Sequence, residues 1–450
     1  MSPEQRADAA LVAVLETQWR REPVIVLDSP PGAGKTDVAE RLAMQSVGLL
    51  DERVMVTTQT NEQAFDLMRR LATGFPRFRV YLFAKASLQV PADVTGLPNV
   101  AVVSDLALVP PGPAVVVSNA AKWSWVQGAA GPLFALNIVD EAYQLPDYIF
   151  QQIAGLAERQ ALIGDPGQIE PVIQAELERW RCDPAGPHVP APRALLHRHS
   201  SITPLALPVS RRLVQDTVDL VQPAFYPGLQ FQALTPQRTL QFTVPGIVPV
   251  DTALDAVAGG QSVVMVELPP TIGGDDDPEL AAEIVWTVER VLRRRPQITN
   301  RAGRLVDVEA SMVGVACAQV AQVSAVRERL AEIGLADVFV ETANRFQGLE
   351  RPLMFVHHPL SGRADATAFH LDAGRLCVLL SRHSVGCWVF SRAGVEAQLR
   401  RYAPIGDRSL GISDDPEYEG WRANLHLMQT LRARGRIYPV PLRGGILPAA

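Results

Sequence analysis

Short apolar runs alternate with amphipathic segments along the first part of the chain. The run at 24–27 is followed by a glycine-containing loop, after which apolar side chains recur at helical spacing from Val38 to Ala43. A second run at 53–58 precedes apolar positions spaced i, i+3, i+4, i+7 over 64–71, and Gly74 is a typical helix end. This order of strand, helix, strand and helix is typical of a parallel sheet covered by helices.

The same pattern continues along the chain and predicts an α/β protein of two domains with parallel sheets. We expect a first domain at 1–206, a second at 207–400, and an extension at 401–450 with a short helical stretch near 421–431. Residues 180–200 hold four prolines and little periodicity, which indicates a loop. Besides a first helix within 1–22, the predicted strands are 79–83, 100–103, 114–117, 136–139, 161–163, 262–268, 313–316, 338–341, 354–357 and 387–390, and the predicted later helices are 278–295 and 322–333.

Composition limits the function classes that remain. A chain of 450 residues with 47% hydrophobic content is long enough for more than one core. Because no apolar run reaches the ~18 residues that span a bilayer, we expect a cytoplasmic protein without a membrane partner. The net charge of −6 is unlike a bulk nucleic-acid binder, although it leaves room for a local basic channel.

The cysteines and the one acidic run suggest structural roles. Cys182, Cys317, Cys377 and Cys387 form no C-x-x-C pair, so buried thiols are favoured over a zinc site or disulfides. Asp275-Asp276-Asp277 precedes a proline, which is typical of a helix N-cap.

The loop after the first strand carries the first candidate chemistry. Gly32 and Gly34 allow the backbone to curl so that successive N–H groups and a helix N-terminus face one point, which suits a polyphosphate. Lys35 would add a positive charge at the β- and γ-phosphates, and the Thr36 hydroxyl would ligate Mg²⁺. Ser29 stands where the usual G-x-x-x-x-G-K-T pattern has its first glycine, and a glycine-rich turn into a helix of no special function is the alternative. The predicted ATP-binding residues of this loop are Gly32, Ala33, Gly34, Lys35 and Thr36.

Two later strands end in polar side chains that suit phosphate hydrolysis. Asp140 and Glu141 follow a buried strand; Asp140 would hold Mg²⁺ and Glu141 would orient the attacking water. Gln168, in the segment GDPGQ, could sense the γ-phosphate, although such a segment is also a common turn.

Several motifs together resemble the superfamily 1 helicases, in particular the branch of the nonsense-mediated-decay RNA helicase and its 5′→3′ relatives. SPPGAGKT resembles the family's GPPGTGKT, VDEAYQ its DEAxQ, and GDPGQIEPV its GDxxQLxPV. VTTQTNEQAFDLMRRL, LPVSRRLVQDTVDLVQPAFYPGL, VGVACAQVAQ, FQGLE and RLCVLLSRHSVGCWVF are similar to the motifs that follow in the family, in the family's order.

This resemblance implies two tandem RecA-like domains that bind ATP and Mg²⁺. It implies that Arg212 and Arg382 reach the γ-phosphate from the second domain, where two arginines can stabilise the charge that develops during transfer. It also places Gln347 and Glu350 at the nucleotide, Glu350 near the ribose, and puts Arg211 where the family has an aromatic residue that stacks on adenine. Asn344 and Ser384 depart from the family's Asp and second Arg.

The resemblance also implies a face that holds single-stranded DNA or RNA. Lysines contact phosphates and tryptophans offer stacking surfaces, although a Trp-Ser-Trp pair is more often half-buried packing. The predicted nucleic-acid residues are Thr58, Asn61, Lys85, Asn119, Lys122 and Trp123, with Ser87 and Trp125 beside them.

The sequence therefore predicts a monomeric, ATP-dependent helicase or translocase on single-stranded nucleic acid. The alternative is an ATP-driven switch that acts on a protein and does not unwind strands. A nuclease is disfavoured because no lysine follows Lys122, and a small-molecule kinase would leave Arg212 and Arg382 unexplained.

Overall fold

A computed structural model of the chain describes residues 1–126, 131–171, 173, 178–180, 183–234, 236, 238–271, 277–300, 302–401 and 415–442. The chain divides into two compact units. The first unit comprises residues 1–166 and 170–209, and the second comprises residues 167–169 and 210–450. Within the described residues, no helix is both long and apolar enough to cross a membrane.

The first unit is an α/β layer structure around one parallel sheet. Its strands are β1 (Val24–Asp28), β2 (Arg53–Thr58), β3 (Val80–Phe83), β4 (Val100–Val103), β5 (Ala114–Asn119), β6 (Phe134–Asp140), β7 (Ala157–Gly164) and β8 (Leu205–Ala206). Its α-helices are α1 (Pro3–Trp19), α2 (Lys35–Leu49), α3 (Asn61–Gly74), α4 (Ala92–Thr95), α5 (Ala120–Trp123), α6 (Asp147–Ile153) and α7 (Ala191–Arg198). The order across the sheet is β4-β3-β5-β2-β6-β7-β1-β8, and the paired strands run parallel.

Alternate residues of β2 show why this sheet has a core on each face. Val54 and Val56 pack in a cluster with Leu42 of α2, whereas Met55 packs in another with Trp123 of α5. Side chains of a strand alternate between faces, so a continuous apolar run can fill both cores.

The second unit is built on a second parallel sheet. Its strands are β9 (Val209–Ser210, which spans the division between the units), β10 (Gln232–Ala233), β11 (Leu240–Phe242), β12 (Val263–Leu268), β13 (Pro296–Thr299), β14 (Leu305–Asp307), β15 (Val313–Cys317), β16 (Phe339–Thr342), β17 (Arg351–His357), β18 (His383–Arg392) and β19 (Ile437–Pro439). Its helices are α8 (Gln215–Phe225), α9 (Asp251–Ala258), α10 (Pro278–Arg293), α11 (Val320–Glu332), α12 (Ala343–Phe346), α13 (Ala368–Leu371), α14 (Ala373–Leu380), α15 (Val395–Arg401) and α16 (Pro416–Ala433). The main sheet has the order β16-β15-β17-β18-β12-β19 with parallel pairs, and β11, β13 and β14 form a separate antiparallel sheet.

The C-terminal helix and strand belong to this second unit. The strand β19 pairs with β12, and Arg436 just before it forms an ion pair with Asp216 of α8. Leu427 and Leu431 of α16 are buried in the same cluster as Leu376 of α14.

The predicted α/β class with parallel sheets is confirmed, and one local prediction is wrong. The sequence predicts a loop at residues 180–200, yet α7 lies within them. Pro192 occupies the first turn of α7, where a missing N–H costs no hydrogen bond, so prolines here mark a helix start.

The expectations for cysteines and the acidic run are confirmed where the structure describes them. Cys317, Cys377 and Cys387 are buried free thiols, and burial raises the pKa of Cys317 to about 12. Asp277 caps α10 by accepting a hydrogen bond from the backbone N–H of Leu280 at 3.0 Å. Cys182, Asp275 and Asp276 lie outside the described residues.

Candidate nucleotide site and nucleic-acid surface

The strand order of the first unit brings three motif-bearing segments together. The strands β6, β7 and β1 are adjacent and parallel, so their carboxyl ends share one edge of the sheet. Residues 29–36 follow β1, Asp140 ends β6 with Glu141 directly after it, and Asp165 follows β7. Ligand sites of open α/β sheets form at this edge.

The loop after β1 has the curled backbone that the sequence predicts. Gly32 and Gly34 have φ values of 72° and 95°, which favour glycine because a Cβ would be strained there. Gly34 caps α2, and Lys35 and Thr36 are the first residues of that helix. The free N–H groups of a helix's first turn and its positive dipole end suit an anion such as a phosphate.

Lys35 and Glu141 form an ion pair at this edge. Lys35 Nζ lies 3.0 Å from Glu141 Oε1, and the two side chains are only 16% and 11% exposed. Glu141 has a φ of 53°, a left-handed conformation that costs a non-glycine residue roughly 1–3 kcal/mol. The fold therefore holds a strained backbone at the residue whose carboxylate meets the loop lysine.

Asp140 and Thr36 have the chemistry expected of Mg²⁺ ligands. Burial raises the pKa of Asp140 to about 7, with the neighbouring Glu141 charge adding to the effect and Lys35 opposing it. A cation would stabilise the charged form of such a carboxylate, and Mg²⁺ in phosphate sites commonly uses few protein oxygens together with phosphates. The described residues contain no cluster of three or more His, Cys, Asp or Glu side chains suited to a metal.

Three residues that the sequence did not single out shape the same edge. The Tyr143 hydroxyl donates a 2.6 Å hydrogen bond to Asp28, just before the loop, and burial raises the pKa of Asp28. A Cβ on Gly164 would lie 2.9 Å from the backbone nitrogen of Tyr143, so only glycine allows this approach. Arg193 of α7 donates to the carbonyl of Pro166 at 3.0 Å and thereby fixes the turn after β7.

In the second unit, four predicted nucleotide-site residues form two pairs. Arg212 Nε donates to Glu350 Oε2 at 2.7 Å, and Gln347 donates to Gln168 Oε1 at 3.1 Å. Arg212 is therefore paired with the carboxylate that the resemblance places near the ribose, and its predicted contact with the γ-phosphate stays a prediction.

Arg382 and Arg211 have different surroundings. Arg382 is 1% exposed and immediately precedes β18, while Arg211 is exposed. Beside Arg382, His383 hydrogen-bonds Thr217 of α8 at 2.8 Å, and burial lowers the pKa of His383 to about 4. Their predicted roles at the nucleotide stay predictions.

Asn344 has a partner within the second unit. Its Oδ1 accepts a 3.0 Å hydrogen bond from Arg375, whose guanidinium lies 4.0 Å from the ring centre of Phe369. Burial lowers the pKa of Arg375. The uncharged Asn344 side chain therefore accepts a hydrogen bond from the buried Arg375 at the position where the family has an Asp.

The structure brings four of the predicted nucleic-acid residues together. Asn61, Lys85, Asn119 and Lys122, together with Trp125, line a cleft of about 270 Å³ at the ends of β3 and β5, which we call the lysine cleft. Asn119 donates to Asn61 Oδ1 at 2.6 Å, and the Lys122 ammonium lies 4.1 Å from the ring centre of Phe83, which also lines the cleft.

Two other predicted nucleic-acid residues are corrected by their burial. Trp123 is fully buried, packs on Phe83 and Phe134, and donates its indole N–H to Val56 O at 3.2 Å, so its ring cannot stack on a base. Thr58 is 1% exposed and its hydroxyl bonds backbone carbonyls, so it is unavailable to a strand.

Comparison with known proteins finds solved structures that are similar to this chain, helicases among them. No known protein family and no curated protein match the chain. An arterivirus nonstructural protein 10 helicase is 16% identical over 85% of this chain and 61% of its own length, with a TM-score of 0.44. The PRRSV helicase is 15% identical over 85% of this chain and 54% of its own length, with a TM-score of 0.41. The arterivirus nonstructural protein 10 helicase in complex with DNA is 16% identical over 86% of this chain and 64% of its own length, with a TM-score of 0.43. The chain thus spans 54–64% of the length of these proteins, and likeness at this level supports no assignment of function by itself.

Proposed function

We propose that this protein is an ATP-dependent helicase or translocase on single-stranded DNA or RNA. The observation that carries the proposal is the contact between Lys35 and Glu141, made where a glycine loop, a helix N-terminus and a carboxylate pair meet at one sheet edge. A lysine for the phosphates and a carboxylate for water are the groups that a phosphate-loop ATPase requires.

In this proposal the residues of the first unit bind and hydrolyse the triphosphate. The backbone N–H groups of residues 32–36 hold the phosphates, and Lys35 leaves Glu141 to contact them. Glu141 is then available to orient water and accept its proton. Thr36 and Asp140 would hold Mg²⁺, which would supply positive charge to neutralise the phosphates.

The second unit contributes the remaining groups in this proposal. Arg212 and Arg382 stabilise the charge that develops on the transferred phosphoryl group, and Gln168 senses that group. Arg211, Gln347 and Glu350 contact the nucleoside. The branch of the superfamily, the monomeric state and the cytoplasmic location remain predictions from sequence.

The test of this function is the ATPase rate with single-stranded DNA, single-stranded RNA and no strand. A helicase or translocase hydrolyses ATP faster when its strand is bound, since movement and hydrolysis are coupled. A rate that neither strand changes would contradict the proposal and favour a switch that acts on a protein. If a strand raises the ATPase rate, a dye on the end of that strand reports translocation as a change in fluorescence that requires ATP.

A further inference from the structure

A series of hydrogen bonds connects the C-terminal segment of the second unit with the start of β18. Arg436, between α16 and β19, forms an ion pair with Asp216 of α8 and donates to its Oδ2 at 2.7 Å. The Ser262 hydroxyl, just before β12, donates to the same oxygen at 2.7 Å. Thr217 Oγ1 lies 2.7 Å from the Ser262 hydroxyl and 2.8 Å from Nε2 of His383. We call these five residues the polar network.

The carboxylate in the polar network sets the direction of the hydrogen bonds that follow it. Although burial works against its charge, hydrogen bonds from Arg436 and Ser262 hold the pKa of Asp216 below its usual range, so the carboxylate only accepts. Ser262 gives its single proton to Asp216, and Thr217 must therefore donate to Ser262. Thr217 then has only an acceptor left for the Nε2–H of His383. The orientation of the His383 ring thus depends on the ion pair at the other end.

Burial makes the members of the polar network depend on one another. Thr217, Ser262 and His383 are at most 2% exposed, and the side chain of Arg436 is 9% exposed. Water is a poor substitute for a partner at such positions, and a buried polar group without its hydrogen bond is costly. We therefore expect the loss of one member to make its neighbours rearrange.

The polar network lies beside the backbone of both arginines that the sequence predicts at the γ-phosphate. His383 directly follows Arg382, whose carbonyl accepts the backbone N–H of Arg351 at 3.0 Å. Consecutive Cα atoms are only about 3.8 Å apart, so the anchored His383 restricts where Arg382 can begin. Arg212 lies shortly before Asp216, in the segment that leads into α8. The polar network thus joins the two backbone segments that carry these arginines.

We propose that Arg436 is a positioning residue for Arg212 and Arg382. It acts through Asp216 and the polar network, so the C-terminal segment of α16 and β19 helps to set the two arginines for hydrolysis. This inference rests on the proposed function, because it gives that segment a part in phosphoryl transfer. A group displaced by about 1 Å can lower turnover by about 100-fold.

Thr217→Val tests the middle of the polar network, because valine has nearly the same shape and lacks the hydroxyl. ATP turnover should fall by about 10- to 100-fold while ATP affinity in equilibrium binding stays nearly constant. Thr217→Ser keeps the hydroxyl and should recover most of the turnover. The control is Thr287→Val in α10, which removes an equally buried hydroxyl that donates to Glu283 O within its own helix, and it should turn over like wild type.

Arg436→Gln tests the C-terminal end of the polar network. Its control is Arg432→Gln on α16, since Arg432 forms an ion pair with Glu396 outside the network. Arg436→Gln should lower turnover with nearly constant ATP affinity, and Arg432→Gln should not. The double variant Arg436→Gln/Thr217→Val should lose little more than the more impaired single variant, because both changes break the same network.

Turnover is compared at a temperature where circular dichroism shows the variants to be folded, and either pair of variant and control decides if a member of the other does not fold. Equal turnover within a pair would overturn the positioning role while the proposed function stands. Losses that add fully in the double variant would also overturn it, because the two residues would then act separately. A wild-type protein that does not hydrolyse ATP would overturn the proposed function and this inference with it.

Discussion

The ion pair between Lys35 and Glu141 leads to a quantitative prediction for Glu141→Gln. The substitution keeps the shape of the side chain and removes its charge. Lys35 Nζ contacts the carboxylate at 3.0 Å, so phosphates must compete with Glu141 for this lysine. Removing that competition should strengthen ATP binding at the same time as it removes the group that we propose positions the attacking water.

The size of each effect follows from the surroundings of the pair. A hydrogen bond to a charged group contributes roughly 1.5–3 kcal/mol. Because both side chains keep some contact with solvent, we take about 1–2 kcal/mol as the free energy of the Lys35–Glu141 contact. Removing a competing contact of this size corresponds to ATP binding about 5- to 30-fold tighter. Loss of a general base lowers turnover by about 10²- to 10⁴-fold.

Two measurements check this prediction. Titration with a fluorescent ATP analogue gives the affinity, and steady-state phosphate release gives turnover. Glu158→Gln, at an exposed position of β7 in the same unit, is the control and should change neither. Slower turnover with unchanged or weaker ATP binding would refute the competition between Glu141 and phosphate, and unchanged turnover would refute the role of Glu141 in hydrolysis.

Three further predictions concern other parts of the protein. Arg382→Ala should lower ATP turnover by ~10³-fold or more while ATP affinity in equilibrium binding stays nearly constant, and equal losses in both would indicate a structural role. Tyr143→Phe removes a hydrogen bond to the partly buried Asp28, so the free energy of unfolding in urea should fall by about 1–2 kcal/mol; an unchanged midpoint would contradict this. His383 has a pKa of about 4 when folded against about 6.5 when unfolded, so the unfolded chain binds more protons between these values and stability falls as pH decreases. Wild type should lose about 2 kcal/mol more than His383→Gln between pH 7 and pH 5 in urea unfolding, and equal losses would show that His383 does not titrate in this way.

The sequence predicts the strand ends and the glycine loop at this edge of the first sheet because its signals are local. Gly32, Gly34 and Lys35 lie within a few residues of one another, and strand β6 ends at Asp140, directly before Glu141. Apolar runs bounded by such polar ends define both the strands and the loops that follow them. The carboxyl ends of parallel strands then converge without further information.

The errors and omissions come from contacts that are distant in sequence. A Trp-Ser-Trp pair does not reveal from sequence which ring is buried, and the structure buries Trp123 and exposes Trp125. Tyr143 contacts Asp28 across more than one hundred residues, so no local pattern marks this pair. The sequence does not reveal the contact of Arg193 with the turn after β7, because the prolines at the start of α7 make this helix resemble a loop.

The central claim is that the loop at residues 32–36 binds ATP for hydrolysis, and phosphate release by wild type and Lys35→Ala tests it most directly. Measured side by side with saturating single-stranded DNA or RNA, the wild-type protein should hydrolyse ATP with strand-dependent turnover, and Lys35→Ala should fall to the background of the assay. Equal turnover by the two proteins would contradict the account, because hydrolysis would then take place without the lysine that we propose contacts the phosphates.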